Sequence, residues 1–506
     1  MSLSISDQQL SHFSDFIEEK MGLHFPPQRW SDLQRGAAAA AREFGFEDVP
    51  ACVQWLMSVP LTKQQSEILA GNLTVGETYF FRERKSFDII ANRILPALIR
   101  ARQGGERRLR IWSAACCTGE EPYSLAILLR HTMADLEDWN VTILGTDLNA
   151  RFLRKAAAGS YGHWSFRDTP AWVKDRWFKQ TADGHFEILP EIRRMVSFAH
   201  LNLVEDLYPS LTNDTNAMDL IFCRNVLMYF SQQQARRVIQ KLYRAQTDDG
   251  WLVVSPSESS QVLFRPYATM NFPGAILYQK ASREAQASKH HAQAAEIEPL
   301  VFDQPSAATV AEPPQPMMFE PQEQSPPASR VQDAQAAEPV VTPYGEAAAL
   351  YEQGCYEDAA DKLMELASGP SPQPEAFKLL ARALANQGKL AEALSWCDRG
   401  IAADKLTPAN YYLRAIVLQE QGETAQAAVS LRQALYLDPN FILAHFALGN
   451  LARHSGKLRE ADKHLKNALK ILHGYRQDTV LPESEGISAG RLTEIITSLV
   501  NLETAT

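Results

Sequence analysis

The strongest constraint in this sequence is a spacing. Gly354, Gly388, Gly422 and Gly456 stand 34 residues apart, and Ala359, Ala393, Ala427 and Ala461 keep the same step. A unit of that length cannot bury its own apolar face, so successive units must stack. The residues between are helical in composition. Glycine permits the tight turn between two antiparallel helices, and a small alanine lets the second helix pack closely on the first. Residues 344–475 therefore predict four helical hairpins in an all-α array.

The spacing resembles that of the tetratricopeptide repeat, which implies a concave surface for a protein or peptide of unknown identity. The repeats fill only the C-terminal part of a 506-residue chain, too long for one core and expected to divide into several units. With 45% hydrophobic and 22% charged residues, the bulk reads as ordinary folded protein. A formal charge of −10 argues against nucleic acid as a partner, since such binders usually carry a basic footprint. The six cysteines are scattered, with no CxxC pair and no histidine at zinc spacing, so they read as reduced thiols and no metal is expected. The start, MSLSISDQQLSHF, lacks the basic and apolar regions of a secretory signal, and no run of about 18 apolar residues occurs. The expectation is a cytoplasmic protein with no direct membrane insertion.

Residues 1–73 show helical periodicity, with Leu10, Phe13, Phe16 and Ile17 and later Trp55, Leu56 and Val59 at three- and four-residue steps. From 74 to 282 the pattern changes to short β-rich runs alternating with helices: LRIWSAA, VTILGTD, MDLIFCR and GWLVVSP. That alternation predicts a Rossmann-like, doubly wound α/β domain. Residues 159–203 break the rhythm, with Asp183-Gly184 between WFKQTA and HFEILP, and predict a β-hairpin insertion projecting from the main sheet. Residues 283–343 turn to Ala, Gln, Glu and Pro and predict a disordered linker, and 476–506 form a C-terminal tail.

The chemistry concentrates in IWSAACCTGEEPYSLA, residues 111–126, a strand running through a small-residue turn into a helix. Small residues let the backbone approach a ligand, and the helix start offers unpaired N–H groups. Glu120 and Glu121 would repel a phosphate there and suit a ligand carrying an ammonium and a sulfonium, such as S-adenosylmethionine; the competing reading is acidic complementation of the helix dipole. Asp147 closes VTILGTD, 28 residues after Gly119, where a carboxylate accepts hydrogen bonds from both ribose hydroxyls; the competing reading is an N-cap. Asn225 and Tyr229 come after the third strand and border the same crevice. The absence of a GxGxxG turn, with the two glutamates, argues against a nicotinamide-dependent oxidoreductase.

Gly76-Glu-Thr-Tyr-Phe-Phe-Arg82, SAACCTGEEPYS, GTDLN, Asn202-Leu203 and FCRNVLMYF together resemble the CheR family of chemotaxis receptor methyltransferases, over residues 5–280. The resemblance implies a class I methyltransferase domain using S-adenosylmethionine and no metal. It implies a protein-glutamate O-methyltransferase that esterifies the cytoplasmic domains of chemoreceptors and releases S-adenosylhomocysteine. By position it implies that Gly76, Thr78, Arg82, Glu120, Asp147, Asn202, Leu203, Asn225 and Val226 line the cofactor site, Gly76 standing where some members have asparagine. Arg82 and Tyr229 are the candidates for catalytic residues that orient reactants near the transferred methyl. Phe80 and Phe81 are expected in an interdomain core. The N-terminal helical domain is expected to help recognise the acceptor, and the locally basic stretch 82–110 to steer an acidic substrate. In some members the insertion docks a receptor tail; the repeats would raise local substrate concentration by tethering, with recruitment to membrane receptor arrays. The competing class is a non-catalytic methyltransferase-like scaffold in a chemosensory complex, which failure to bind S-adenosylhomocysteine would favour. Methylation of a small molecule or nucleic acid would leave no base-labile product.

Overall fold

The first helix, Asp7–Met21, starts where the Ser6 hydroxyl accepts the Gln9 amide and stops at Gly22, whose φ of +75° breaks the helix. Leu10, Phe13 and Ile17 from its inner face join Leu33, Val53, Leu56 and Leu69 in the core of an N-terminal helical unit. Those four come from helices Trp30–Glu43, Val49–Ser58 and Lys63–Leu73. A Cβ on Gly22 would overlap the Val204 side chain, so glycine also lets this unit close on the α/β domain. The structure is a computed structural model that describes residues 5–102, 105–204, 208–281, 342–369 and 372–504.

The α/β domain is built on a seven-stranded sheet. Strands β1 (Arg108–Ala114), β2 (Asn140–Asp147), β6 (Val196–His200), β7 (Met218–Cys223) and β8 (Gln246–Val253) run parallel. β9 (Ala268–Phe272) and β10 (Ala275–Gln279) add an antiparallel edge, giving the order β6-β2-β1-β7-β8-β10-β9. β1 and β7 are buried along their whole length, which is why they read as near-continuous apolar runs. The chain passes from β1 outward to β2 and β6, then returns to β7 and β8 on the other side. This reversal opens a crevice at the carboxyl ends of β1 and β7.

The insertion is a second, small sheet of β3 (Ser160–Tyr161), β4 (Phe178–Gln180) and β5 (Phe186–Ile188), in the order β3-β5-β4. Phe80 is fully buried against it, its ring within 5.0 Å of Tyr161, Phe166 and Phe178. The expected insertion boundary of 203 overshoots, because β6 belongs to the main sheet, Asp147 pairing with His200. As the sheet's edge, β6 is only half-buried and carries no apolar run to announce it.

Beyond the segment read as a linker, which up to residue 341 lies outside the described residues, the chain forms four helical hairpins. They are Pro343–Glu352 with Tyr356–Ser368, Pro374–Asn386 with Leu390–Ala403, Pro408–Glu420 with Thr424–Leu437, and Ile442–His454 with Leu458–Leu472. The four repeat glycines all sit at φ between +71° and +85°, and the four alanines are fully buried. The turns of the first three hairpins face the sheet domain: a Cβ on Gly354, Gly388 or Gly422 would meet Arg244, Arg108 or Asn140. Glu420 meets Arg108 at 3.3 Å and accepts from Asn216 at 2.8 Å, and the Glu420 carbonyl accepts from Asn140 at 2.7 Å. Arg108 and Asn140 begin β1 and β2, and Asn216 shortly precedes β7, so the repeats dock on the end of the sheet opposite the crevice. Among the described residues no helix is long and apolar enough to cross a membrane.

Candidate active site

After β1 the chain turns through Ala115 (φ +62°), Cys117 (φ +52°) and Gly119 (φ +92°) into the helix Glu120–Thr132. Left-handed backbone at a non-glycine residue costs about 1–3 kcal/mol and persists only where neighbours hold it. Here the Cys116 amide donates to the Thr146 carbonyl and the Cys117 amide to Asp147 Oδ2, both at 2.8 Å. The other Asp147 oxygen accepts the Asn149 amide at 2.8 Å. The N-cap of the next helix is Asn149, which accepts from Arg151, so the capping alternative for Asp147 falls away and its carboxylate lines the crevice. Burial raises the Asp147 pKa to about 6, against backbone amides that pull it down.

The two adjacent glutamates part company. Glu121 lines the crevice, accepting from Ser113 Oγ at 2.7 Å and from Arg224 at 3.1 Å. Burial raises its pKa while Arg224 opposes the rise. Glu120 points the other way, accepting from Ser165 Oγ at 2.9 Å and Thr118 Oγ1 at 2.6 Å, and so ties the insertion to the turn. Neighbours on a helix diverge by about 100°, and here that rotation turns Glu121 to the crevice and Glu120 to the insertion.

The opposite wall begins after β7. Asn225 holds φ +56°, and its amide and those of Val226 and Met228 donate to the Glu258 carboxylate at 2.7, 2.8 and 3.3 Å. Arg224 lies 2.8 Å from Glu83 and donates to the Arg82 carbonyl at 2.7 Å, joining the Gly76–Arg82 segment to the turn after β1. Thr78, Arg82, Asn202, Leu203, Asn225, Val226 and Tyr229 all line the crevice. Gly76 does not; its missing Cβ would stand 2.6 Å from the ring of Phe152, which does. An asparagine there would displace that ring. Asn202 accepts the Val204 amide at 3.1 Å and donates to the Lys20 carbonyl at 3.2 Å, linking the helical unit to the wall.

Sequence reasoning missed three contributors. Glu258 sits in a Ser255-to-Glu258 capping box that was legible as a cap but not as a support for Asn225 and Val226. Arg224 ends the MDLIFCR run, and nothing local in the sequence marks its pairing with Glu121 and Glu83. The helical unit supplies His24, Phe25 and Arg29, the last with its guanidinium 5.2 Å from the Tyr229 ring centre. The basic stretch 82–110 also divides: Arg102 is paired with Asp219, Arg108 with Glu420, and Arg110 donates to the Asn216 and Asp214 carbonyls. Those three charges serve the interior. Burial raises the Cys116 and Cys117 thiols well above their usual range, so both stay neutral. Among the described residues no group of three or more histidine, cysteine, aspartate or glutamate side chains could hold a metal ion.

A mostly parallel sheet with an antiparallel edge, a small-residue turn after its central strand and acidic side chains at the ends of the next elements define a class I S-adenosylmethionine-dependent methyltransferase. Residues 76–271 match the family model described as CheR methyltransferase, SAM binding domain. The Pseudomonas aeruginosa protein named "Probable biofilm formation methyltransferase WspC" is 30% identical over 397 residues, spanning 76% of this chain and 82% of that protein. The chain belongs to the CheR methyltransferase family. A chemotaxis protein methyltransferase of Borreliella burgdorferi is 28% identical over 261 residues, 51% of this chain and 90% of its own length. Among solved structures, MamA is 24% identical over 27% of this chain and 80% of its own, with a TM-score of 0.25. The repeat architecture rests instead on the 34-residue helical hairpins themselves.

Proposed function

We propose that the chain transfers methyl groups from S-adenosylmethionine to glutamate side chains on the cytoplasmic domains of chemoreceptors, acting in the cytoplasm beside receptor arrays. The observation that carries this reading is the crevice itself, walled by Glu121, Asp147 and Arg82 and covered by the N-terminal helical unit. Its donor set fits the cofactor. Asp147 would take the ribose hydroxyls, Glu121 would offer its carboxylate to the ammonium, and the left-handed turn at Ala115 and Cys117 would let backbone approach the ligand. Thr78, Asn202, Leu203, Asn225 and Val226 form the remaining wall; Glu120 acts through Ser165 and Thr118, and Gly76 through the room it leaves for Phe152.

S-adenosylmethionine supplies a methyl group carried on a sulfonium. The acceptor glutamate, with a reference pKa of about 4.3, is an anion at neutral pH and needs no general base. The residues therefore have to align the carboxylate and keep water out, since neutralising two opposite charges is favoured where water is excluded. Arg82 and Tyr229 orient the acceptor, Arg82 held by its donation to the Glu77 carbonyl at 2.6 Å and Tyr229 by the His24 amide, which donates to its carbonyl at 2.7 Å.

The test is transfer of labelled methyl from S-adenosylmethionine to membranes carrying the host's chemoreceptors, scored as base-labile label, with Asp147→Ala beside the native chain. Label that only the native chain adds is the expected result. Absence of label together with no binding of S-adenosylhomocysteine by calorimetry would overturn the enzymatic reading in favour of a scaffold.

A further inference from the structure

The face of the repeats formed by their first helices, where a protein ligand was expected, is covered by the chain itself. After the last hairpin, residues 477–488 cross back over the first two repeats, and Leu481 and Ile487 are buried in the repeats' own core. Glu483 is clamped there: Lys378 donates to one carboxylate oxygen at 2.5 Å and Arg382 to the other at 2.7 Å. Arg382 also donates to the Glu483 carbonyl at 3.2 Å. Two residues on, Glu485 accepts from Tyr351 at 3.1 Å, while its second oxygen accepts from Ser210 Oγ at 2.6 Å and the Leu211 amide at 2.9 Å. Glu483 and Glu485 both hold positive φ, which non-glycine residues rarely adopt, so the loop is shaped to its seat rather than relaxed.

The seat has chemistry to spare. Arg382 Nε and Asn386 Oδ1 are buried in it without hydrogen-bond partners. Buried polar groups are normally satisfied, and an arginine fork matches a carboxylate in a way a general packing surface does not.

We propose that this face, edged by Ser210 and Leu211 of the α/β domain, is a binding site for an acidic peptide segment with two glutamates two residues apart between aliphatic anchors, and that Leu481–Ile487 occupies it in cis. A partner segment of the same chemistry competes for the seat. The inference deepens the reading of the repeats as a protein-binding module and does not depend on methyl transfer, so its test reads none.

A segment tied to its own site acts at an effective concentration on the order of 1 mM, so a free copy with micromolar affinity is held off roughly 10²- to 10³-fold in the intact chain. The probe is a fluorescent synthetic peptide of residues 477–488, titrated by anisotropy into the full chain. Glu483→Gln with Glu485→Gln, which weakens the cis occupant, is expected to bind it at least tenfold more tightly than the native chain does. A peptide carrying both glutamines is expected to lose that gain. Equal affinity for native and variant chains, or no saturable binding to a variant whose melting curve shows it folded, would overturn the proposal and leave a fixed packing contact.

Hydrogen exchange on the native chain avoids any folding defect. Several millimolar peptide is expected to speed exchange at 477–488 and leave β1 unchanged; unaltered exchange at 477–488 would equally overturn it.

Discussion

At Asp147 one carboxylate meets two demands that conflict at low pH. It accepts the amides of Cys117 and Asn149, which shape the turn, and it is buried enough that its pKa rises from 3.8 to about 6. The folded chain thus binds that proton more tightly than the unfolded chain. The carboxyl's contribution to stability is greatest below the unfolded value and is lost as pH rises from about 4 to about 6, by about 3 kcal/mol. On the role proposed for Asp147, cofactor binding should run the opposite way, because hydroxyls donate to the ionised form. The affinity for S-adenosylhomocysteine, measured by calorimetry, is expected to climb by up to about tenfold per pH unit below 6 and to level off above it. Asp147→Asn should flatten that profile, and an unchanged slope in the variant would assign the titration elsewhere. Asp147 was legible because a strand end is a local signal. The division of labour between Glu120 and Glu121 was not, since rotation by one helical residue separates a ligand-facing side chain from one that holds Ser165.

Among the elements, the short turn Pro256–Glu258 shows how a cap becomes part of a site. Its box was written in the sequence, yet the carboxylate it positions also receives the amides of Asn225, Val226 and Met228 from the loop after β7. Glu258→Gln replaces one acceptor oxygen with a donor facing an N–H group, a change worth about 1–3 kcal/mol at a buried position. The expected outcome is a roughly tenfold loss of S-adenosylhomocysteine affinity with a lowered melting temperature. A lowered melting temperature at native affinity would confine Glu258 to packing. β6 makes the complementary point. An edge strand without an apolar run gave no sign of its place, but its end carries Leu201, Asn202 and Leu203 onto the crevice wall.

The whole molecule is held together across the back of the sheet by a buried ion pair. Burial lowers the pKa of Arg108 and raises that of Glu420, so desolvation outweighs their mutual attraction on both sides. Such a pair fixes geometry more than it adds stability. Glu420→Ala leaves Arg108 buried without that partner and is expected to cost about 3–5 kcal/mol in denaturant unfolding, whereas Arg108→Met with Glu420→Met should cost less than either single change. A double variant as unstable as the sum of the singles would contradict this. Arg491, on the tail helix Ala489–Thr504, reaches His200 at 3.2 Å at the end of β6, so the tail spans from the repeats to the rim of the crevice. Burial, aided by the Arg491 charge, lowers the His200 pKa to about 3, so at neutral pH the imidazole is uncharged and accepts from the guanidinium.

By itself the sequence determined the repeats and the strands of the sheet's centre, because these arise from local physics: left-handed glycine turns at a fixed step, alanines at helix crossings, and runs buried on both faces. Only the tertiary structure decided that the turn of the third hairpin meets Arg108, 312 residues away, that the helical unit covers the crevice, and that the repeats' first-helix face is filled by the chain's own glutamates. Those outcomes depend on which surfaces pack together, and no residue's neighbours in sequence carry that information.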